Sequence, residues 1–275
     1  MSVMVNRFVF ESSDGLLSYQ DTGNTGPALV LLHAGFLDSS MFDAQLPVLG
    51  RRHRVIAPDA RGHGESGNAT RPFRQSDDVA ALLRHLDLTS VVIAGVSMGA
   101  MTAVEVAVEY PDLVAGLVVS GRAIGEPDYR DAWSKDLAQT QADALAQGDL
   151  AAWLDAFVLW SVGPARHPTE VDAALVGDLR RMATRTLAKH VDSRQNFHLP
   201  VPDVALRAPL ISAPVLALDG VFDSPDLIAT VDRLLDAVPQ GRRTMIEGAG
   251  HFPNMEQPTL YNRLVEQFAA SLAAA

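Results

Sequence analysis

The sequence predicts an α/β fold: a mostly parallel sheet with helices on both faces and a helical lid inserted between two strands. Three observations predict it. Short apolar runs alternate with amphipathic helical patterns through most of the chain, as crossover-connected parallel strands require. Several of those runs are apolar at every residue, as strands covered on both faces must be. The alternation breaks once, from about residue 122 to about residue 209, where helical patterns follow one another with no convincing strand.

Taken in order, Arg7–Glu11 and Leu16–Gln20 flank Ser-Ser-Asp-Gly and read as a hairpin. Ala28–Leu32, Val55–Ala57, Val91–Ala94, Gly116–Val119, Val215–Leu218 and Arg243–Ile246 are the next strands. Gln75–Leu86, Met98–Glu109, Leu227–Ala237 and Leu260–Leu272 are the helices between and after them, the second stopped by Pro111. Within the interruption, Asp131–Gln147, Leu150–Trp160, Glu170–Leu179 and Met182–Asp192 read as four successive helices, with Pro164, Pro168, Pro200, Pro202 and Pro209 at turns.

Composition narrows the chemistry. The 275 residues suit one large domain carrying an insertion. A hydrophobic content of 48% against 20% charged residues excludes disorder as the main state. The net charge of −11 argues against nucleic acid or an anionic membrane as partner, since both need clustered positive charge. With no cysteine, there is no disulfide, no thiolate metal site and no cysteine nucleophile. Only two lysines occur, Lys135 and Lys189, and neither follows a glycine, which excludes a phosphate-cradling G-x-x-x-x-G-K-[ST] loop. No H-E-x-x-H or similar histidine pairing suggests a metal, and no metal or cofactor is expected. The first residues carry Arg7 and Glu11 where a secretory leader needs an apolar core, and Val91–Val104 is too short and polar to span a bilayer. The expectation is a cytoplasmic protein acting on a small molecule, with a homo-oligomer left open.

Hydroxyls, carboxylates, histidines and backbone groups remain, and one motif uses them. Gly95-Val96-Ser97-Met98-Gly99 follows an apolar strand and opens a helix, the context a G-x-S-x-G nucleophile elbow requires. So tight a turn needs small neighbours, and it lifts the serine hydroxyl above the sheet's carboxyl edge. Met98 N–H then sits at a helix N-terminus, where donors and dipole favour a developing anion. Serine needs a base, and the base needs a carboxylate to fix its tautomer. His251, in Gly248-Ala249-Gly250-His251 after the last strand, is the candidate base. Asp219, Asp223 and Asp226 compete for the acid. Asp219 lies at a strand end and Asp226 in the first turn of a helix, whereas Asp223 lies in the loop with reach toward His251 and is the choice. The first βα loop, His33-Ala34-Gly35-Phe36, places Phe36 N–H as a second oxyanion donor; His33 is read as shaping that loop through backbone hydrogen bonds. Gly62-His63-Gly64-Glu65-Ser66-Gly67 matches G-x-G-x-x-G, but Pro72 follows where a dinucleotide site needs a helix.

Together, His33-Ala34-Gly35-Phe36, Asp59–Ser66, the Gly95–Gly99 elbow, Gly220-Val221-Phe222-Asp223 and Gly250-His251 resemble the α/β-hydrolase-fold serine hydrolases over essentially the whole chain. The resemblance implies Ser97 as nucleophile, His251 as base, Asp223 as orienting acid and an oxyanion hole of Phe36 and Met98 N–H groups. It also implies that Asp59–Ser66 is a structural loop. Ala34 and Ala100 stand where glycine is frequent in the family. The nearest likeness is to the capped esterase and enol-lactonase branch, with meta-cleavage C–C hydrolases and haloperoxidase-like perhydrolases beside it. The expected activity is hydrolysis of a carboxylic ester or lactone through an acyl-enzyme. C–C hydrolysis, perhydrolysis and acyl transfer on the same triad are the rivals, and an inactive ligand-binding relative is a more distant one. Residues 1–121 and 210–275 are expected to form the catalytic domain and 122–209 the cap. Trp153, Phe157 and Trp160 share one helical face and, with Trp133, lie in the cap; they either pack it onto the sheet domain or line an apolar substrate pocket. Arg180, Arg181, Arg185 and Arg194 read as solvated, with one of them free to meet a substrate carboxylate.

Overall fold

The computed structural model describes residues 3–190 and 196–273. Eight strands form one sheet: β1 (Asn6–Ser12), β2 (Gly15–Asp21), β3 (Ala28–Leu32), β4 (Arg54–Pro58), β5 (Val91–Val96), β6 (Val114–Ser120), β7 (Val215–Gly220) and β8 (Gly241–Ile246). Their order is β1-β2-β4-β3-β5-β6-β7-β8. β1 and β2 form the antiparallel hairpin, β2 meets β4 antiparallel, and every later pairing is parallel. The helices are α1 (Leu46–Leu49), α2 (Gln75–His85), α3 (Met98–Glu109), α4 (Ala132–Gln147), α5 (Leu150–Val162), α6 (Ala173–His190), α7 (Val204–Arg207), α8 (Pro225–Ala237), α9 (Pro253–Glu256) and α10 (Pro258–Ala273).

The inner strands β3 to β7 bury both faces, and the side-chain period of two divides their residues between two cores. Val30, Leu32, Ile93, Leu117 and Val119 pack with residues of α2, α3 and α8, among them Leu83, Val106 and Val231. Leu29, Leu31, Val92, Ala94 and Val118 pack on the other side with Tyr261, Val265 and Phe268 of α10. The second core continues through Leu37, Phe42 and Phe252 to Trp153, Phe157, Leu179 and Met182 of the insertion, so α5 and α6 share a core with the sheet.

The insertion departs from expectation in one element. The two helices read as Glu170–Leu179 and Met182–Asp192 are one, α6, and Val191 and Asp192 lie outside the described residues. The adjacent Arg180 and Arg181 read as a break, but no proline or capping residue stands there. Leu179, Met182, Ala183, Thr186 and Leu187 form one continuous buried stripe across it. α1, α7 and α9, each four residues long, are too short to leave a periodic signal.

What positions the site is the strand order. Successive crossovers run from β3 outward to β4, then return past β3 to β5. The carboxyl ends of β3 and β5 therefore lie side by side, Leu32 opposite Gly95, at the topological switch point where open α/β sheets place their ligands.

Candidate active site

Ser97 links β5 to α3 with φ 54° and ψ −113°, a conformation sparsely populated by residues with a side chain. Its N–H donates to Ser120 O at 2.8 Å, and its own carbonyl accepts from Ala100 and Met101 N–H, so both ends of the strained residue are held. The flanking glycines answer to close backbone approach. A Cβ on Gly95 would lie 2.2 Å from Gly99 O, and one on Gly99 would lie 2.0 Å from Leu32 O. The elbow is wedged between its own helix and the end of β3.

The loop after β3 lies against it. Phe36 also has positive φ, 64°, which turns the chain so that its ring packs edge-on against Trp153 at 4.5 Å. Among the described residues neither Phe36 N–H nor Met98 N–H donates a hydrogen bond. His33 takes the structural part expected of it. It is buried, its Nδ1 lies 2.8 Å from Ala34 O, and its Nε2 accepts from Ala60 N–H at 2.8 Å. That pairing fixes the Nδ1–H tautomer, and burial pushes its pKa down. Asp59 knits the next loop, accepting Ser39 N–H at 2.8 Å and Glu65 N–H at 2.9 Å. The G-x-G-x-x-G match thus falls in a loop organised around a carboxylate.

His251 and Asp223 meet. Nδ1 of His251 lies 2.9 Å from Asp223 Oδ2, and the Asp223 side chain is wholly buried. The other oxygen of Asp223 accepts Ser224 N–H at 2.7 Å. His251 N–H donates to Ser161 O at 3.0 Å, tying the histidine loop to the end of α5. Gly121 has φ +75° and lies under the pair: a Cβ there would be 2.7 Å from His251 Cε1 and 3.3 Å from Asp223 Oδ2. The rival acids have other partners. Asp219 accepts Gly121 N–H and Arg243 Nε–H, each at 2.9 Å, and burial raises its pKa to about 6. Asp226, in the first turn of α8, accepts Arg130 N–H at 2.8 Å at the entry to α4.

Beneath the histidine loop, Arg166 and Glu256 pair at 2.7 Å, both nearly buried. Glu256 also accepts Gly250 N–H at 2.6 Å, while Arg166 donates to Val162 O and lies over the Phe222 ring at 4.6 Å. The pair joins the end of α5, the acid loop and the base loop. Glu256→Ala would leave the guanidinium buried without its partner, and a destabilisation of roughly 3 kcal/mol is expected. It should appear as a lower denaturant midpoint at constant m-value; an unchanged midpoint would refute it.

Ser97, His251, Phe36 and Met98 line one cavity of about 600 Å³ between the sheet's carboxyl edge and the insertion. Phe157 and Trp160 stand on its wall. Trp153 and Trp133 do not: Trp153 stacks on Phe157 and meets Phe36 from behind, and Trp133 packs edge-on against Trp160 at 5.1 Å. The arginines considered for a substrate carboxylate are not on the wall either. Arg180 pairs with Asp155, Arg181 with Asp178 and Arg185 with Asp38, and Arg194 lies outside the described residues. Among the described residues the arginine on the wall is Arg122, immediately after Gly121, with Glu126 on one nitrogen and a buried Nε that has no partner. Glu105 on α3 also borders the cavity, and nothing in the sequence marks its face of the helix as a wall. Among the described residues no three histidine, aspartate or glutamate side chains converge on a metal-binding position, and no helix is long and apolar enough to cross a membrane.

This architecture is that of a hydrolase. Residues 27–258 match the family described as alpha/beta hydrolase fold, and the chain belongs to that family. It is 27% identical over 261 residues to 3-oxoadipate enol-lactonase 2 of Acinetobacter baylyi, covering 93% of each chain. Among solved structures, a thermophilic esterase from Thermogutta terrifontis superposes with a TM-score of 0.75 at 25% identity, over 97% of this chain and 99% of the other. A hydrolase from Pseudomonas aeruginosa superposes with a TM-score of 0.76 at 24% identity, over 96% and 98%.

Proposed function

We propose that the chain is a serine hydrolase that cleaves a carboxylic ester or lactone of a small, largely apolar substrate through an acyl-enzyme. The observation that carries the reading is the convergence on one cavity of a strained, helix-capping Ser97, a histidine paired to a buried aspartate, and two N–H groups with no partner among the described residues. The relatives named as an enol-lactonase and an esterase agree with it.

The geometry supports the following steps. Asp223 holds the proton on His251 Nδ1, which leaves Nε2 as the basic lone pair facing the cavity. Nε2 takes the Ser97 proton as Oγ attacks the substrate carbonyl, and Asp223 stabilises the imidazolium. The carbonyl electrons move onto oxygen, where Phe36 and Met98 N–H donate to the anion. On collapse, the bond to the alcohol oxygen breaks and His251 returns the proton to it. Water, deprotonated by the same nitrogen, then attacks the acyl-serine and releases the acid. Among the described residues the hydrogen bond of the His251 ring is the one to Asp223; the bond from Ser97 Oγ to Nε2 that the mechanism requires would form in the Michaelis complex.

In this reading residues 122–209 act as a cap over a catalytic domain of 1–121 and 210–275, and Phe157 and Trp160 give the pocket its apolar wall. The protein would work in the cytoplasm on a small molecule, with no metal or cofactor. A panel of aryl esters and lactones, run beside a fluorophosphonate probe, tests it. Turnover is expected together with one probe per chain, on Ser97; absence of both label and turnover would refute the proposal.

A further inference from the structure

One face of α3 floors the cavity. Met98, Met101, Thr102 and Glu105 line it at helical spacing, running from the oxyanion donor to a carboxyl group. At 1.5 Å rise per residue, seven residues place Glu105 about 10 Å along the helix from Met98. Glu105 is buried, yet the cations around it are committed elsewhere. Arg74 pairs with Asp77 at 3.1 Å and with Glu109 at 3.0 Å, and Arg207 pairs with Glu109. His198, on the same cavity wall, has its pKa lowered by burial. The Thr102 hydroxyl donates to Gln75 Oε1 at 2.9 Å, and Gln75 Nε2 donates to Met98 Sδ at 3.3 Å. Among the described residues, the backbone N–H of Val201 lies toward Glu105 and favours its charged form, without offsetting its burial. A buried carboxylate with no ion-pair partner is costly, and burial raises this one to about 7 although the more distant charge of Arg74 opposes the rise.

We propose that Glu105 is a specificity-determining residue that receives a protonated amine carried by the substrate about 10 Å from its scissile carbonyl, the span given by the helical rise. An ammonium supplies the ion-pair partner that Glu105 lacks among the described residues, and the intervening wall of Met101, Phe157 and Trp160 suits a methylene chain. The inference rests on the hydrolase reading for the position of the carbonyl.

The test compares kcat/KM for 4-nitrophenyl 8-aminooctanoate and 4-nitrophenyl nonanoate, matched in length, above pH 7. The wild type should favour the amino ester, and Glu105→Gln, which keeps an acceptor for Val201 N–H, should cut that preference about 10-fold, the worth of one charge-assisted hydrogen bond. A wild type without the preference, or a variant that slows both esters equally, would overturn the inference. Calorimetric binding of 8-aminooctanoate and nonanoate to Ser97→Ala reads the same preference without turnover. Wild-type hydrolysis of 4-nitrophenyl acetate, lost in Ser97→Ala, separately reports on the hydrolase assignment.

Discussion

Ser97→Ala should lower kcat/KM toward an aryl ester by roughly 10⁴-fold or more while leaving the fold unchanged. The loss is large in the proposed mechanism because its serine, histidine and aspartate act as a unit; without Oγ, His251 would be left to activate water in a site proposed for attack from Ser97. The fold should survive because the strained backbone is held by main-chain contacts. Ser120 O accepts the residue 97 N–H, and Ala100 and Met101 N–H meet its carbonyl, all independent of the side chain. Initial rates on purified variant and wild type, beside thermal melts, check both halves. Activity within about tenfold of wild type, against the far larger loss expected of a triad member, would remove Ser97 from the chemistry, whatever the elbow's geometry.

The elbow is legible in sequence because its signal is local: five residues, a strand before them and a helix after them specify one turn. The pairing of His251 with Asp223 is legible for a weaker reason. Both loops follow strands whose carboxyl ends must point the same way in a parallel sheet, so their meeting follows once the strands are identified. Choosing Asp223 over Asp219 needs only the extra reach of a loop residue over one at the end of a strand. The sheet is legible strand by strand, since runs such as Val91–Ala94 have no alternative as surface helices.

What escapes the sequence depends on tertiary placement. Helical spacing puts Trp153, Phe157 and Trp160 on one face but does not say where along that face the cavity ends. It ends at Phe157, and Trp153, one turn earlier, faces the Phe36 ring. Arg122 and Glu105 look unexceptional in sequence, one in a loop and one on a helix, and only the insertion closing over the sheet edge makes them wall residues. The continuity of α6 is hidden because two adjacent arginines suggest a polar connection, whereas the apolar stripe beneath them runs unbroken.

Gly99→Ala tests the elbow from the other side, through packing. The single added methyl would sit 2.0 Å from Leu32 O, 2.4 Å from Leu32 C and 2.7 Å from His33 O, all backbone atoms. No rotamer change relieves that contact. Either α3 must lift from the sheet or the end of β3 must move, and Leu32 is tied by its ladder to Gly95. Overpacking of this kind costs about 3 kcal/mol, which for a chain of this size lowers Tm by roughly 5–10 °C. Activity should fall further than stability. The methyl pushes on Leu32 and His33, which lead into the loop carrying Phe36 N–H, and lifts the helix that carries Met98 N–H, so it separates the two proposed oxyanion donors. A displacement near 1 Å at such a site costs on the order of 100-fold in rate. A variant that keeps wild-type Tm and wild-type kcat/KM would show that the strand and helix are not in the tight contact the glycine permits. One that loses stability but keeps kcat/KM at low temperature would separate the packing of the elbow from the placement of its donors.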